Sequence, residues 1–223
     1  MITPRVIQRS NRQSLSLTVD QKGDLIVKAP YKMELDEIFN FIAKKQKWIE
    51  NRQNKIKSIL AKNYDLINYK KLILLGKHYY ICMTKNIQKP YLTSEAIILN
   101  KTKNLKNVKA QIKQFYINCC DDILIPRVEK LAKNGNFSYK SIKIISSKTK
   151  WGMCDSTKNL YFNYKLLMLP PDLIDYVIIH ELCHTKELNH SKNFWRLVEK
   201  NLSDYKECTK LIKESNFLIK LYD

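Results

Sequence analysis

Three of the four histidines fall between His180 and His190, and the first two frame the pattern His-Glu-x-x-His. Side chains four apart on a helix project from one face, so His180 and His184 can share one tetrahedral zinc ion. Glu181, three residues before His184, stays close enough to hold a zinc-bound water and to act as its general base. A catalytic zinc site needs a third protein ligand and leaves its fourth position to water. His190 is the favoured third ligand: it lies beyond the expected helix end, where Asn189 can take a left-handed turn that brings the chain back. Glu187, Glu199, Cys154 and Cys183 are its rivals. Glu187 shares the histidine face but lies about 10.5 Å of helix rise from His180. Cys183 falls on the other side of the helix.

Helical phase makes Glu181 conspicuous. At about 100° per residue it shares a sector with Leu173, Ile174, Val177 and Leu188, inside the apolar stripe. An ionised carboxylate there is costly unless it serves a metal, a water or a partner. Burial would also raise its pKa toward the range a general base needs near neutrality.

The elements that must position these groups read as follows. Pro170-Pro171-Asp172 opens the active helix, expected from about Pro171 to Leu188, and Ser191 is a candidate N-cap for the next helix. Upstream, Ser141–Ser147 and Asn159–Tyr164 read as strands joined by a loop holding Trp151-Gly152-Met153-Cys154, with Asn159–Asn163 a candidate edge strand for an extended peptide. Val108–Lys133 reads as a long helix with Pro126 inside it, expected to kink it, and Asn134-Gly135-Asn136 is a stop signal. Residues 13–29 read as a hairpin. Glu34 to about Leu60 reads as one long helix with Ile38, Ile42, Trp48 and Ile49 on one side. Lys71–Met83, around Gly76, and Tyr91–Leu99 return to strand character. The expected division is an N-terminal β-rich part with a long helix, 1–100, and a catalytic part, 101–223. His78 and the aromatic group Trp151, Tyr161, Tyr164, Phe194 and Trp195 read as structural, the aromatics as core and pocket wall.

The 223 residues are 44% hydrophobic and 27% charged, the mix of an ordinary globular protein. No apolar run approaches the roughly 20 residues needed to span a bilayer, and no apolar segment follows the N-terminal arginines, so a soluble cytoplasmic protein without membrane association is expected. Six cysteines without a CxxC pair read as free thiols. The net charge is +19. Its carriers are mostly lysines dispersed along the chain, which reads chiefly as composition but leaves room for weak nucleic-acid contact through a basic surface.

Read together, these segments resemble one known family. Lys150-Trp151-Gly152-Met153-Cys154, Asn163, Pro170-Pro171, Asp175–Leu182, His184, Asn189-His190-Ser191, Phe194-Trp195 and Asp204-Tyr205-Lys206 are similar to the YgjP-like metallopeptidases. These are small zincins, also called minigluzincins, related to the SprT-like and WLM proteases. Weaker likeness covers Val19-Asp20, Gly23, Ala29-Pro30, Lys47-Trp48-Ile49 and Gly76. The family's tryptophan loop usually reads W-G-S-C, and Met153 stands here for the serine. The resemblance implies an α+β chain with a zincin-like C-terminal domain. It further implies a zinc-dependent metallopeptidase acting on a peptide or protein substrate, with His180, His184 and His190 as ligands and Glu181 as catalytic carboxylate. Tyr205 is a candidate oxyanion stabiliser, with packing at a helix start as its other reading. Two alternatives remain open. One is a metal-dependent nucleotide phosphohydrolase, although no P-loop is visible. The other is a basic nucleic-acid-associated module with a structural zinc, which would need a closed four-ligand site.

Overall fold

The computed structural model describes residues 2–20, 22–62 and 64–221. The fold is of the expected α+β class, and the chain divides into two compact units, Met1–Tyr64 and Asp65–Asp223. The division falls at 64/65, whereas the sequence pattern placed it near 100.

In the first unit, β1 (Val6–Ser10), β2 (Ser16–Val19) and β3 (Leu25–Pro30) form a sheet in the order β1-β3-β2. β2 and β3 are the expected antiparallel hairpin, and β1 adds a parallel strand that the pattern did not announce. Asp20 closes the turn by accepting the Lys22 and Asp24 amides at 2.9 Å. The single long helix expected over 34–60 is two, α1 (Leu35–Lys44) and α2 (Gln46–Lys62), because Lys45 leaves helical geometry at φ −104°, ψ 9°. Ile38, Ile42 and Ile49 are buried with Val19, Leu25, Val27 and Ala29, but Trp48 stays 48% exposed.

A short helix, α3 (Tyr64–Ile67), lies at the junction. The second unit then adds β4 (Lys71–Leu74), β5 (Lys77–Thr84), β6 (Tyr91–Leu92) and β7 (Ala96–Asn100), ordered β4-β5-β7-β6. The β4–β5 hairpin explains why this sheet belongs with the C-terminal part. Leu75 and Gly76 turn at φ 52° and 77°, and a Cβ on Gly76 would lie 3.1 Å from the Pro170 ring. The Leu75 amide donates to the Leu167 carbonyl at 2.7 Å. The hairpin tip is thus seated beside the start of the active helix, within one core.

The helix expected over 108–133 is α4 (Leu105–Cys119), a π-helical turn at Cys120–Leu124 and α5 (Ile125–Asn134). The chain meets Pro126 with a change of helical register. The proline then falls in the first turn of α5, where its missing N–H costs little. A second sheet follows, with β8 (Ser141–Ile145), β9 (Gly152–Cys154) and β10 (Asn159–Asn163) in the order β8-β10-β9. The expected edge strand is therefore central: β10 pairs parallel with β8 and antiparallel with β9. The edges are β8 and β9, and β9 is the one that borders α6. A buried 3₁₀ segment, Tyr164–Met168, leads into α6 (Pro171–His184), followed by α7 (Lys192–Asn201) and α8 (Tyr205–Glu214). Leu173, Ile174, Val177, Ile178 and Leu182 bury α6 in the core. Arg127 of α5 forms a two-pronged ion pair with Asp175 that ties the two helices together. No helix among the described residues is long and apolar enough to cross a membrane. All six cysteines are free thiols.

Candidate metal centre

α6 carries His180 and His184 one turn apart, and its end decides where His190 can go. The helix stops at His184, four residues short of the expected Leu188. Thr185 donates its hydroxyl to the Leu182 carbonyl at 2.7 Å, while the Lys186 and Glu187 amides both converge on the Cys183 carbonyl at 3.0 Å. Leu188 is consequently 70% exposed and outside the apolar stripe. The return of the chain does not use a left-handed Asn189, which is absent from the positive-φ residues among those described. Instead the Asn189 side chain accepts the Ser191 amide at 3.2 Å, and Ser191 caps α7 by accepting the Phe194 amide. Helix end, Asx turn and cap follow one another within eight residues, and His190 lies between the last two.

The result is a cluster in which His180, His184 and His190 each offer a ring nitrogen, all within 4.8 Å of one another. His180 Nε2 and His190 Nε2 are 3.1 Å apart, close to the roughly 3.3 Å edge of a tetrahedron with Zn–N bonds of about 2.0 Å. His184 directs Nδ1 at the Glu187 carbonyl, 3.0 Å away. A carbonyl can only accept, so Nδ1 carries the proton and Nε2 is left as the donor to a metal. Burial first, and then the neighbouring His184 and His190, push the His180 imidazole down to about 3; burial also lowers His184. Both rings are therefore neutral at physiological pH and keep a lone pair for a cation. His180 Nδ1 is buried without a hydrogen-bond partner among the described residues, and a neutral ring bears that more easily than a charged one. Converging, neutral imidazoles fit zinc well.

Aromatic rings hold the imidazoles in place. Phe194, fully buried, stacks on His184 with centroids 4.5 Å apart and meets His180 and His190 edge-on at 5.0 and 4.8 Å. Trp195 stacks on His190 at 5.7 Å, and Tyr205 on Trp195 at 5.4 Å. Phe194 and Trp195 read from the sequence as core and pocket wall, while Tyr205, read as an oxyanion stabiliser or as packing at a helix start, stands at the first position of α8. The direct seating of all three histidines by Phe194 and Trp195 was not legible in the sequence.

Glu181 is buried, as its helical phase requires, with its side chain against β9. A Cβ on Gly152 would lie 2.7 Å from Glu181 Cγ and 3.0 Å from Oε1, so this glycine makes the room the carboxylate occupies. The Cys154 amide donates to the carboxylate and Lys150 lies within electrostatic reach. Burial outweighs both and pushes Glu181 up to about 8. Asn163 fixes the segment leading into β9. It is fully buried, and its side-chain amide donates to the Ser147 and Lys150 carbonyls at 2.8 and 3.0 Å. Neither Gly152 nor Asn163 was singled out on chemical grounds from the sequence. The signal available was a glycine beside tryptophan in the loop between two strands.

The rival ligands stand elsewhere. Glu187 contributes its carbonyl to His184, Glu199 faces Lys206 at 4.0 Å on the surface, and Cys183 is buried. Cys154 lies on β9 near Glu181 but outside the histidine cluster. His78 is exposed on β5 and takes no part.

The sequence model described as YgjP-like, metallopeptidase domain matches residues 13–215. No curated protein matches. Among solved structures, a crystal structure of the metallopeptidase zymogen of Pyrococcus abyssi abylysin is 22% identical, with a TM-score of 0.38, covering 42% of this chain and 94% of that one.

Proposed function

The chain belongs to the YgjP-like metallopeptidase family, and we propose that it is a zinc-dependent peptidase in which His180, His184 and His190 hold the ion and Glu181 is the general base. The observation that carries this reading is the convergence of three histidine nitrogens beside a buried carboxylate. When bound, zinc supplies Lewis-acid polarisation of the scissile carbonyl, acidifies the attacking water and, by its charge, favours the ionised form of Glu181. Glu181 accepts the proton that the water loses on attack and delivers it to the nitrogen of the leaving amine. The Cys154 amide orients the carboxylate, and the Gly152 gap lets it stand close to the strand. The main-chain groups on the unpaired side of β9, apart from the Cys154 amide that Glu181 takes, are offered to an extended peptide. His190 is exposed, so the centre opens to solvent and substrate. Only these three ligating side chains gather among the described residues, which weighs against the closed four-ligand site of a structural zinc.

The test is metal content and turnover of three proteins on a peptide library. The native chain should bind one zinc and cleave. Glu181→Gln should keep zinc and lose about two orders of magnitude or more in rate. His184→Ala should lose both. A zinc-loaded Glu181→Gln protein with native turnover would exclude this carboxylate as the base.

A further inference from the structure

The four-stranded sheet β4-β5-β7-β6 packs only one face into the core. Leu72, Leu74, Ile97 and Leu99 alternate inward and are 3% exposed or less. The opposite face is covered at Ile73 on β4, which is 7% exposed, and open across β5, β7 and β6, where the registers show what stands on it. Lys71, Tyr80 and Ala96 lie in one row, and Cys82, Ile98 and Tyr91 in the next. Tyr80 is 59% exposed and Tyr91 49%. Lys71 covers one side of the Tyr80 ring, and its other row neighbour is the small Ala96; Tyr91 stands beside Ile98 at the sheet edge. Two strand spacings and one pleat repeat separate the two rings, about 12 Å.

The charge around this face departs from that of the rest of the chain. Residues 70–103, which build the sheet and its connections, carry seven lysines and a single carboxylate, Glu95, a net +6 out of +19 in about 15% of the sequence. Because β5 and β7 run parallel, they end side by side. The lysines that follow each strand therefore collect at the same edge: Lys85 and Lys89 after β5, Lys101 and Lys103 after β7, all exposed. At the other end of the row Lys71 sits over the Tyr80 ring, 4.9 Å from its centroid, and also faces Asp65 at 3.4 Å.

We propose that this open sheet face binds single-stranded nucleic acid, with Tyr80 and Tyr91 stacking bases and the lysines at the β5/β7 edge holding the phosphate backbone. Every base presents a π-face, so such a surface is tolerant of sequence, and two aromatics on a four-stranded sheet can seat two bases of an open strand. Duplex DNA hides the faces that tyrosine needs. A second copy of this chain would meet like charge. An anionic bilayer would be met by aliphatic side chains protruding from this face, yet the exposed Met83 and Leu92, 41% and 42%, have the opposite register parity to Tyr80 and Tyr91.

The test measures fluorescence anisotropy of labelled oligodeoxythymidylate and oligouridylate, each about 12 nucleotides long, with the full chain over a salt series. The native protein should bind one or both, with affinity falling steeply with salt. Tyr80→Ala with Tyr91→Ala, both at exposed positions, should weaken binding at least tenfold and leave the salt slope unchanged. Lys85→Glu, Lys89→Glu and Lys101→Glu together should flatten the slope by about 2, at roughly 0.7 per single-strand phosphate contact. The same three-charge change at Lys206, Lys210 and Lys213 should leave binding near native. Unchanged affinity in the tyrosine variant would overturn the proposal. So would equal affinity for a duplex or for phosphatidylserine vesicles, or an equal loss from the α8 lysine changes.

Discussion

In the proposed mechanism the buried carboxylate beside the three histidines works only if its place is kept clear, and at residue scale that task falls to Gly152. The gap it leaves is narrower than any side chain. Gly152→Ala would drive a methyl group into Glu181 Cγ, and the tight packing around the carboxylate leaves little room to yield. Overpacking of this kind costs about 1–3 kcal/mol. The larger effect should be on rate, because a carboxylate displaced by even 1 Å no longer meets the water it must deprotonate. We expect Gly152→Ala to bind zinc like the native chain and to lose roughly 10- to 100-fold in kcat, with little change in KM. Metal analysis and steady-state kinetics would check this, and native kcat would show that the carboxylate relaxes freely. The pattern His-Glu-x-x-His and the phase of Glu181 made the histidines and the carboxylate legible in the sequence, since both depend on spacing within one helix. Gly152, Asn163 and the Glu187 carbonyl were not legible as parts of the site. Their roles arise from contacts between segments distant in sequence, or from a main-chain atom that no residue type announces.

At the scale of elements, the site depends on β9, a strand of three residues at a free edge. Its neighbour β10 is held in register by the turn between them, which is built around Asp155. That carboxylate accepts from the Asn159 side chain and amide, and from the Thr157 amide, at 2.9 Å, and from the Tyr161 hydroxyl at 3.1 Å. These bonds, those from Asn159 foremost, hold Asp155 well below the usual carboxylate range. The folded state therefore binds this proton less readily than the unfolded chain does. The stability it contributes is fully present above the ordinary carboxylate pKa of about 4 and is lost as pH falls below it. Asp155→Asn should lower stability at neutral pH and flatten the acid limb of the pH–stability curve, measured by denaturant unfolding. An acid limb as steep as that of the native chain would place the titrating group elsewhere. The turn also shows why strand order escaped the sequence. Period-two alternation identifies a strand but not its partners, and the loop holding Trp151 to Cys154 was too short and irregular to read as the pairing edge. Helix ends escaped for a related reason. Thr185 and Ser191 end and restart the helices through side-chain hydrogen bonds to nearby backbone, which local propensity suggests for Ser191 and leaves ambiguous for Thr185.

For the whole molecule, each unit has its own apolar core, and the candidate metal centre lies entirely in the second. A ligand that binds only the folded state stabilises it by RT ln(1 + [L]/Kd), about 4 kcal/mol at a thousandfold excess over Kd. Zinc on three imidazoles of α6 and the segment before α7 should therefore raise the opening free energy of the elements those side chains join. Hydrogen exchange on the full chain, compared between zinc-loaded and chelated protein, reads this segment by segment. Chelation should reduce protection over 171–184 and 192–201, and over 152–163, where Glu181 leans on β9. Protection over 6–30 and 35–62 should not change, because those residues belong to a core that the metal does not touch. The boundary near residue 100 that the sequence pattern suggested makes a different forecast: the sheet over 71–100 would then behave like the first unit and ignore the metal. The contacts of Leu75 with Leu167 and of Gly76 with Pro170 make that sheet part of the packing beneath α6, so its protection should fall with that of α6. A sheet indifferent to chelation would return the boundary to residue 100, and a loss of protection across all segments would mean that the chain opens as one cooperative unit.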